Sequence, residues 1–147
     1  MLHFEPIGTE NRKEAERLQV FPAQAGFIES VQECLLEADG ASQWRPVGIF
    51  DGEALVGFAM YGYFASPSPG RLWLDRLLID KAHQGKGYGK AAVLALLEKL
   101  HREYDSPQVY LSVYENNTAA VALYRQVGFR FTGEYDTKGE KMMVYRF

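Results

Sequence analysis

Three groups of residues in this chain have types and spacing that could do chemistry. The first is Gln84-Gly85-Lys86-Gly87-Tyr88-Gly89, followed by Lys90. It lies between an apolar run of strand length, Arg71 to Asp80, and a long apolar-periodic segment. Glycines let a backbone approach a ligand closely. The first amides of a helix have no intrahelical partner and carry the positive end of its dipole. A strand, a glycine loop and a helix start together suit phosphate oxygens. Two familiar phosphate patterns do not fit. A Walker A motif would need glycine at Gln84 and Ser or Thr at Ala91, and a dinucleotide fingerprint would need glycine at Lys90. A glycine-rich turn that only caps a helix is the plainer alternative.

The second group centres on Asp75. It interrupts the apolar run Leu72, Trp73, Leu74, Leu77, Leu78, Ile79, where an unpaired carboxylate is costly. Strand alternation sends Arg76 to the opposite face, so the sequence predicts Arg76 to be a poor partner for it. An ion pair with another base is the structural alternative to a catalytic role. The third group is the segment Asn117 to Phe129, which carries Tyr124. Ala120, Tyr124 and Val127 share a helix face, so a core tyrosine is one reading. Glu29, Glu33 and Glu37 recur every four residues. They form either a solvated row or part of a mouth that attracts cations.

The elements that would position these groups follow from pattern. Leu2 to Ile7 reads as an edge strand. Thr9 and Asn11 offer a cap for a short helix over 12–18. Phe27 to Glu37 reads as a second helix, with Phe27, Val31, Cys34, Leu35 and Ala38 on one face. Asp51-Gly52 between the apolar runs 46–50 and 55–61 predicts a hairpin, and the strand over 71–80 completes an antiparallel meander. Val93, Leu96, Leu97, Leu100 and Tyr104 form the core stripe of a helix that follows the glycine loop. Val109 to Tyr114 is the next strand, parallel to 71–80 through a right-handed crossover. Asn117 is placed to cap a helix that ends at Gly128. Two strands, 129–135 and 141–147, close the chain around a turn at Thr137-Lys138-Gly139.

Composition bounds the function. The length, 147 residues with 47% hydrophobic and 14% aromatic content, suits one folded domain over residues 1–147. The net charge is −3, and no basic run occurs, which argues against nucleic acid as a partner. Cys34 is the one cysteine and reads as an inert core thiol. No apolar leader and no stretch of membrane-spanning length is present, so a cytoplasmic protein without a membrane partner is expected. His3, His83 and His101 have no ligand spacing, so no metal is implied. Trp44 and Trp73 read as packing residues, with Trp73 the one placed to border an acceptor site. The sequence is compatible with a homodimer.

Two motifs carry a resemblance. Gln84 to Gly89 fits Gln/Arg-x-x-Gly-x-Gly and resembles the pyrophosphate loop of the GNAT acyl-CoA-dependent N-acetyltransferases. Asn117 to Phe129 resembles their Asn-x-x-Ala-x-x-Leu-Tyr-x-x-x-Gly-Phe signature throughout. The motifs stand about thirty residues apart in the family's order, and the resemblance covers nearly the whole chain. Residues 27–38, 46–62, 72–80 and 110–117 further resemble bacterial spermidine/spermine N-acetyltransferases of the kind associated with a multidrug efflux transporter.

The resemblance implies an α/β (α+β) fold with a mixed, mainly antiparallel twisted sheet of about seven strands and about four helices. It implies acetyl-CoA as cosubstrate and a small cationic amine as acceptor. Gln84, Gly85, Lys86, Gly87, Tyr88, Gly89 and Lys90 would hold the pyrophosphate. Backbone groups of Leu77, Leu78 and Ile79 would meet the pantetheine and the acetyl carbonyl, and Asn117 would cap its helix or touch the cofactor. Tyr124 matches the tyrosine that the family aims at the CoA sulfur. Asp75 matches an acidic residue of polyamine acetyltransferases and would take the ammonium and its proton, directly or through water. Glu33 and Glu37 would help draw in the cation.

The implied reaction is direct attack of a deprotonated primary amine on the thioester. An alkylammonium with a lysine-like pKa is neutral in roughly 1 molecule of 2500 at pH 7, a deficit of about 4.6 kcal/mol that the site must offset. The competing readings are the same chemistry on a protein N-terminus, an amino acid or an aminoglycoside, and a non-catalytic acyl-CoA-binding module.

Overall fold

Apolar alternation in the N-terminal half builds the expected meander. The computed structural model describes residues 1–147. Strand β1 (Leu2–Pro6) pairs antiparallel with β2 (Trp44–Asp51), β2 with β3 (Ala54–Phe64), and β3 with β4 (Arg71–Ile79). The β2–β3 turn is centred on Gly52 and Glu53, one residue later than expected, with Gly52 at φ +62. Strand β5 (Gln108–Val113) runs parallel to β4, and the last strand, β7 (Lys141–Arg146), inserts between β5 and β6 (Arg130–Tyr135). The result is one seven-stranded sheet in the order β1-β2-β3-β4-β5-β7-β6.

Four helices cover the sheet: α1 (Arg12–Glu16), α2 (Val31–Asp39), α3 (Tyr88–Glu103) and α4 (Thr118–Val127). Ala15, Leu18, Val31, Cys34 and Leu35 bury one face against Phe58, Met60 and Leu78. On the other face Ala92, Val93, Leu96, Leu97 and Leu100 of α3 pack on Leu72, Leu74, Val109 and Leu111. Helix α4 adds partly buried Ala120, Leu123, Tyr124 and Val127 to that second core. Burial pushes the Cys34 thiol up to about 11, consistent with an inert thiol. No helix is long and apolar enough to cross a membrane.

Local chemistry moved three expectations. Helix α2 begins at Val31 rather than Phe27, because Ser30 caps it. Ser30 Oγ accepts the Glu33 amide at 3.2 Å, and Glu33 Oε1 accepts the Ser30 amide at 3.1 Å, a reciprocal capping box. Asn11 precedes α1 but does not cap it with its side chain. Its Oδ1 accepts from Gly8 N and its Nδ2 donates to Pro6 O, so it ties the helix to the end of β1 instead. Asn117 likewise sits at the N-cap of α4 with no side-chain cap bond.

Candidate active site

A break in strand alternation builds the site. Along β3 and β4, Met60 faces Arg76 and Tyr61 faces Leu74, so Asp75 is left over as a β-bulge. A bulge places one extra residue in a strand and reverses which face the following side chains take. The cores record the reversal: Leu72 and Leu74 lie in the α3 core, whereas Leu78 lies in the α1–α2 core. Asp75 and Arg76 can therefore share a face. The guanidinium of Arg76 pairs with the Asp75 carboxylate, which corrects the expectation from plain alternation that Arg76 would be a poor partner.

Arg76 is 8% exposed and touches three carboxylates. Besides Asp75, its Nη2 donates to Glu37 Oε2 at 2.6 Å, and its Nε lies 2.8 Å from Glu29 Oε2. Glu29 and Glu37 come from the approach to α2 and from α2 itself. Glu29 also accepts from Lys138 Nζ at 2.7 Å, linking the segment before α2 to the β6–β7 turn. A buried arginine among carboxylates offsets their desolvation in a way that a lone acid in a strand could not.

Strands β4 and β5 are in register at one pair, Trp73 and Tyr110. Beyond that pair a cavity of about 460 Å³ opens at their carboxyl ends. Its walls are Asp75 to Ile79 of β4, Ser112 and Val113 of β5, the glycine loop, one face of α4, and the β6–β7 turn from Asp136 to Glu140. Trp44 borders it and Trp73 does not, the reverse of the expectation. Trp73 packs on Tyr110 with ring centroids 5.5 Å apart.

At one end of the cavity the glycine loop leads into α3. Gly85 and Gly87 have φ of +79 and +84, a left-handed conformation that glycine adopts without strain. The Ala91 amide donates to Gly87 O at 3.2 Å, leaving those of Tyr88, Gly89 and Lys90 at the positive end of the helix. This arrangement fits a pyrophosphate. The Gln84 side chain is engaged by the protein itself: Nε2 donates to Ile79 O at 2.9 Å, and its amide pairs with that of Gln24. Gln84 thus anchors the loop to β4. Gln84, Gly85, Gly87, Tyr88 and Gly89 line the cavity, while Lys86 and Lys90 are exposed outside the lining. The Tyr88 hydroxyl donates to Asp51 Oδ2 at 2.5 Å.

Tyr124 and Asn117 line the wall contributed by α4. The Tyr124 ring meets Phe129 edge to face at 5.6 Å, and burial pushes its phenol up to about 12. Leu77, Leu78 and Ile79 line the opposite wall. The site therefore brings together Asp75, Tyr124, Asn117, the three β4 residues, Glu37 and most of the loop. It does not include Glu33, whose carboxylate is held in the α2 cap.

Three acidic contributors went unassigned at the sequence level. Glu29 was visible only as one member of a periodic row. Asp136 and Glu140 flank a hairpin turn, and only the fold carries that turn across the cavity. Asp136 Oδ1 accepts the amides of Lys138 and Glu140 at 2.9 and 2.8 Å, and Ser112 Oγ donates to Glu140 Oε2 at 3.1 Å. Burial, with a further push from Asp136, raises the Glu140 carboxyl to about 7. Four carboxylates (Glu29, Glu37, Asp75, Asp136), the part-ionised Glu140 and two permanent cations (Arg76, Lys138) line the cavity, so its walls are acidic.

The sequence pattern described as the acetyltransferase (GNAT) family matches residues 11–129. The spermine/spermidine N(1)-acetyltransferase of Bacillus subtilis (strain 168) is 42% identical over 147 residues, 97% of each chain. The N-alpha-acetyltransferase RimI of Mycobacterium tuberculosis is 36% identical over 87 residues, 59% of this chain and 52% of that one. Among solved structures, spermidine N-acetyltransferase from Vibrio cholerae in complex with CoA and spermine superposes with a TM-score of 0.76 at 18% identity, covering 99% of this chain and 95% of that one. An aminoglycoside acetyltransferase in complex with coenzyme A gives 0.83 at 17% identity, with the same coverage. At these identities the structural likenesses speak for the fold alone.

Proposed function

The chain belongs to the acetyltransferase (GNAT) family and is an acetyl-CoA-dependent N-acetyltransferase, and from that premise we propose that its acceptor is a polyamine such as spermidine or spermine. The observation that carries this reading is the acidic cavity wall. Four carboxylates and the part-ionised Glu140 against two cations favour a ligand with several positive charges. The full-length similarity to a spermine/spermidine N(1)-acetyltransferase supports it independently. An amino-acid acceptor would need a cation for its carboxylate, and of the two in the lining Arg76 already meets three carboxylates of the protein and Lys138 is paired with Glu29.

Bound acetyl-CoA supplies the thioester carbonyl and a thiolate leaving group. The amides of the glycine loop and the α3 N-terminus bind its pyrophosphate, and the backbone of Leu77 to Ile79 aligns the pantetheine arm beside β4. Asp75 receives the reacting ammonium and accepts its proton, directly or through one water, so that a neutral amine attacks the carbonyl; as the C–S bond breaks, the nitrogen's second proton passes to the departing thiolate, which leaves as the thiol. Tyr124, held protonated by a phenol pushed up to about 12, donates a hydrogen bond to the sulfur. Full proton transfer to a cysteine-like thiolate, near pKa 8.5, is uphill by about 3.5 units or roughly 5 kcal/mol. Donation without transfer is therefore the role that fits Tyr124. Glu37 and Glu29 contribute the negative field at the acceptor end.

The test is a steady-state assay with acetyl-CoA across spermidine, spermine, a monoamine, an amino acid and an aminoglycoside. The reading predicts that kcat/KM is highest for the polyamines. A clear preference for any other class contradicts it.

A further inference from the structure

The acceptor end of the cavity carries a cation of the protein's own at its rim. Lys138, in the turn between β6 and β7, donates to Glu29 Oε1 at 2.7 Å, while the other oxygen of Glu29 lies 2.8 Å from Arg76 Nε. Glu29 is thus shared between two cations that differ in freedom. Arg76 is 8% exposed and is also held by Glu37 and Asp75. The Lys138 side chain is 56% exposed, and Glu29 is its one salt-bridge partner. The turn that bears Lys138 does not depend on that ammonium. Asp136 fixes its backbone by accepting the amides of Lys138 and Glu140.

We propose that Lys138 is a specificity-determining residue: its ammonium stands at Glu29 where the non-reacting ammonium of a di- or polyamine sits in the substrate complex, and gives way to it. This rests on the polyamine reading above. Exchanging one ammonium for another at Glu29 leaves the local charge unchanged, so no additional unpaired charge is buried. The displaced pair is open to solvent on the Lys138 side, 56% exposed against 30% for Glu29, so solvent screens part of its attraction. A monoamine brings its only nitrogen to Asp75 and has nothing to offer Glu29, so the Lys138–Glu29 pair stays closed. An amine with a second charge gains Glu29 in addition. Lys138 therefore acts as a weak built-in competitor against the far end of the substrate.

The experiment compares wild type, Lys138→Met and Lys138→Arg, with spermidine and with butylamine as acceptors, at saturating acetyl-CoA. Lys138→Met is expected to lower KM for spermidine about three- to tenfold at low salt, with kcat held within about twofold. The spermidine-to-butylamine ratio of kcat/KM rises accordingly. Lys138→Arg, which keeps the cation, should stay close to wild type, and added salt should narrow the gap between Lys138→Met and wild type. An unchanged or raised spermidine KM in Lys138→Met, or an equal gain for both amines, overturns the inference. The two readings fail separately. If wild type acetylates spermidine and the Lys138 variants do not alter discrimination, only the present inference falls. If wild type acetylates butylamine and not spermidine, the polyamine reading falls with it.

Discussion

The guanidinium of Arg76 pairs with the carboxylate of Asp75, the residue immediately before it in the same strand. Consecutive strand residues normally face apart. The bulge opposite Met60 and Tyr61 turns both toward the α2 side. The device places a carboxylate in an apolar strand, beside the cavity and next to a fixed counter-charge.

Arg76→Met should leave Asp75, Glu29 and Glu37 facing one another without their shared cation. Removing one partner from a buried ionic group costs about 3–5 kcal/mol, and about 3 is expected here because the carboxylates are partly exposed. For a domain of this size that corresponds to a fall in Tm of roughly 10 °C. Thermal denaturation at low and high salt checks this, with salt restoring part of the loss. A Tm within about 2 °C of wild type would mean that Arg76 does not hold the cluster together.

Gly87→Asp should abolish acetyl-CoA binding while the fold persists. Gly87 sits at φ +84 at the N-cap of α3, where a side chain costs about 1–2 kcal/mol in strain. The added charge also repels a pyrophosphate at the same helix end. Calorimetry on the folded variant reads the effect, and unchanged affinity for CoA defeats the loop assignment.

Tyr124→Phe should retain the fold and most of the acetyl-CoA affinity, with kcat lowered about 100- to 1000-fold, the scale for losing one hydrogen-bond donor to developing charge. With chemistry limiting the rate, a kcat within about twofold of wild type between pH 6 and 9 removes Tyr124 from the leaving-group role.

Glu140 makes stability depend on pH. Burial and Asp136 raise its folded-state carboxyl from 4.5 to about 7, so between those values the folded state binds more protons than the unfolded one. Stability from this group is therefore fully present below about pH 4.5 and declines as pH rises through 7. Glu140→Gln, which mimics the protonated form, should gain Tm relative to wild type as pH increases from 5 to 8. A Tm difference that does not vary with pH over that range contradicts the shift.

Much of the fold was legible because the relevant signals are local. Asp51-Gly52 marked the first hairpin, the stripe from Val93 to Leu100 marked α3, and the glycine loop marked its start. Ser30-x-x-Glu33 was an equally local signal for the start of α2, and the acidic periodicity of Glu29, Glu33 and Glu37 obscured it. The lining of the candidate site was legible where one segment supplies it, as at Gly85 to Gly89 and at Tyr124. It was illegible where distant segments meet. Nothing in the sequence reports that the Asp136–Glu140 turn reaches Glu29, because that depends on β7 inserting between β5 and β6. Nor does strand periodicity reveal a bulge, so the partner of Asp75 was placed on the wrong face.

Whether Asp75 receives the ammonium and its proton is tested most directly by the pH–rate profile of Asp75→Asn against wild type with spermidine. The substitution keeps size and hydrogen bonding and removes the charge. A large fall in kcat/KM is expected at neutral pH, with acetyl-CoA affinity nearly unchanged. Activity should recover in part as pH rises, because more of the amine is then already neutral. A wild-type rate with a wild-type profile would contradict the account and leave Asp75 as the structural partner of Arg76 alone.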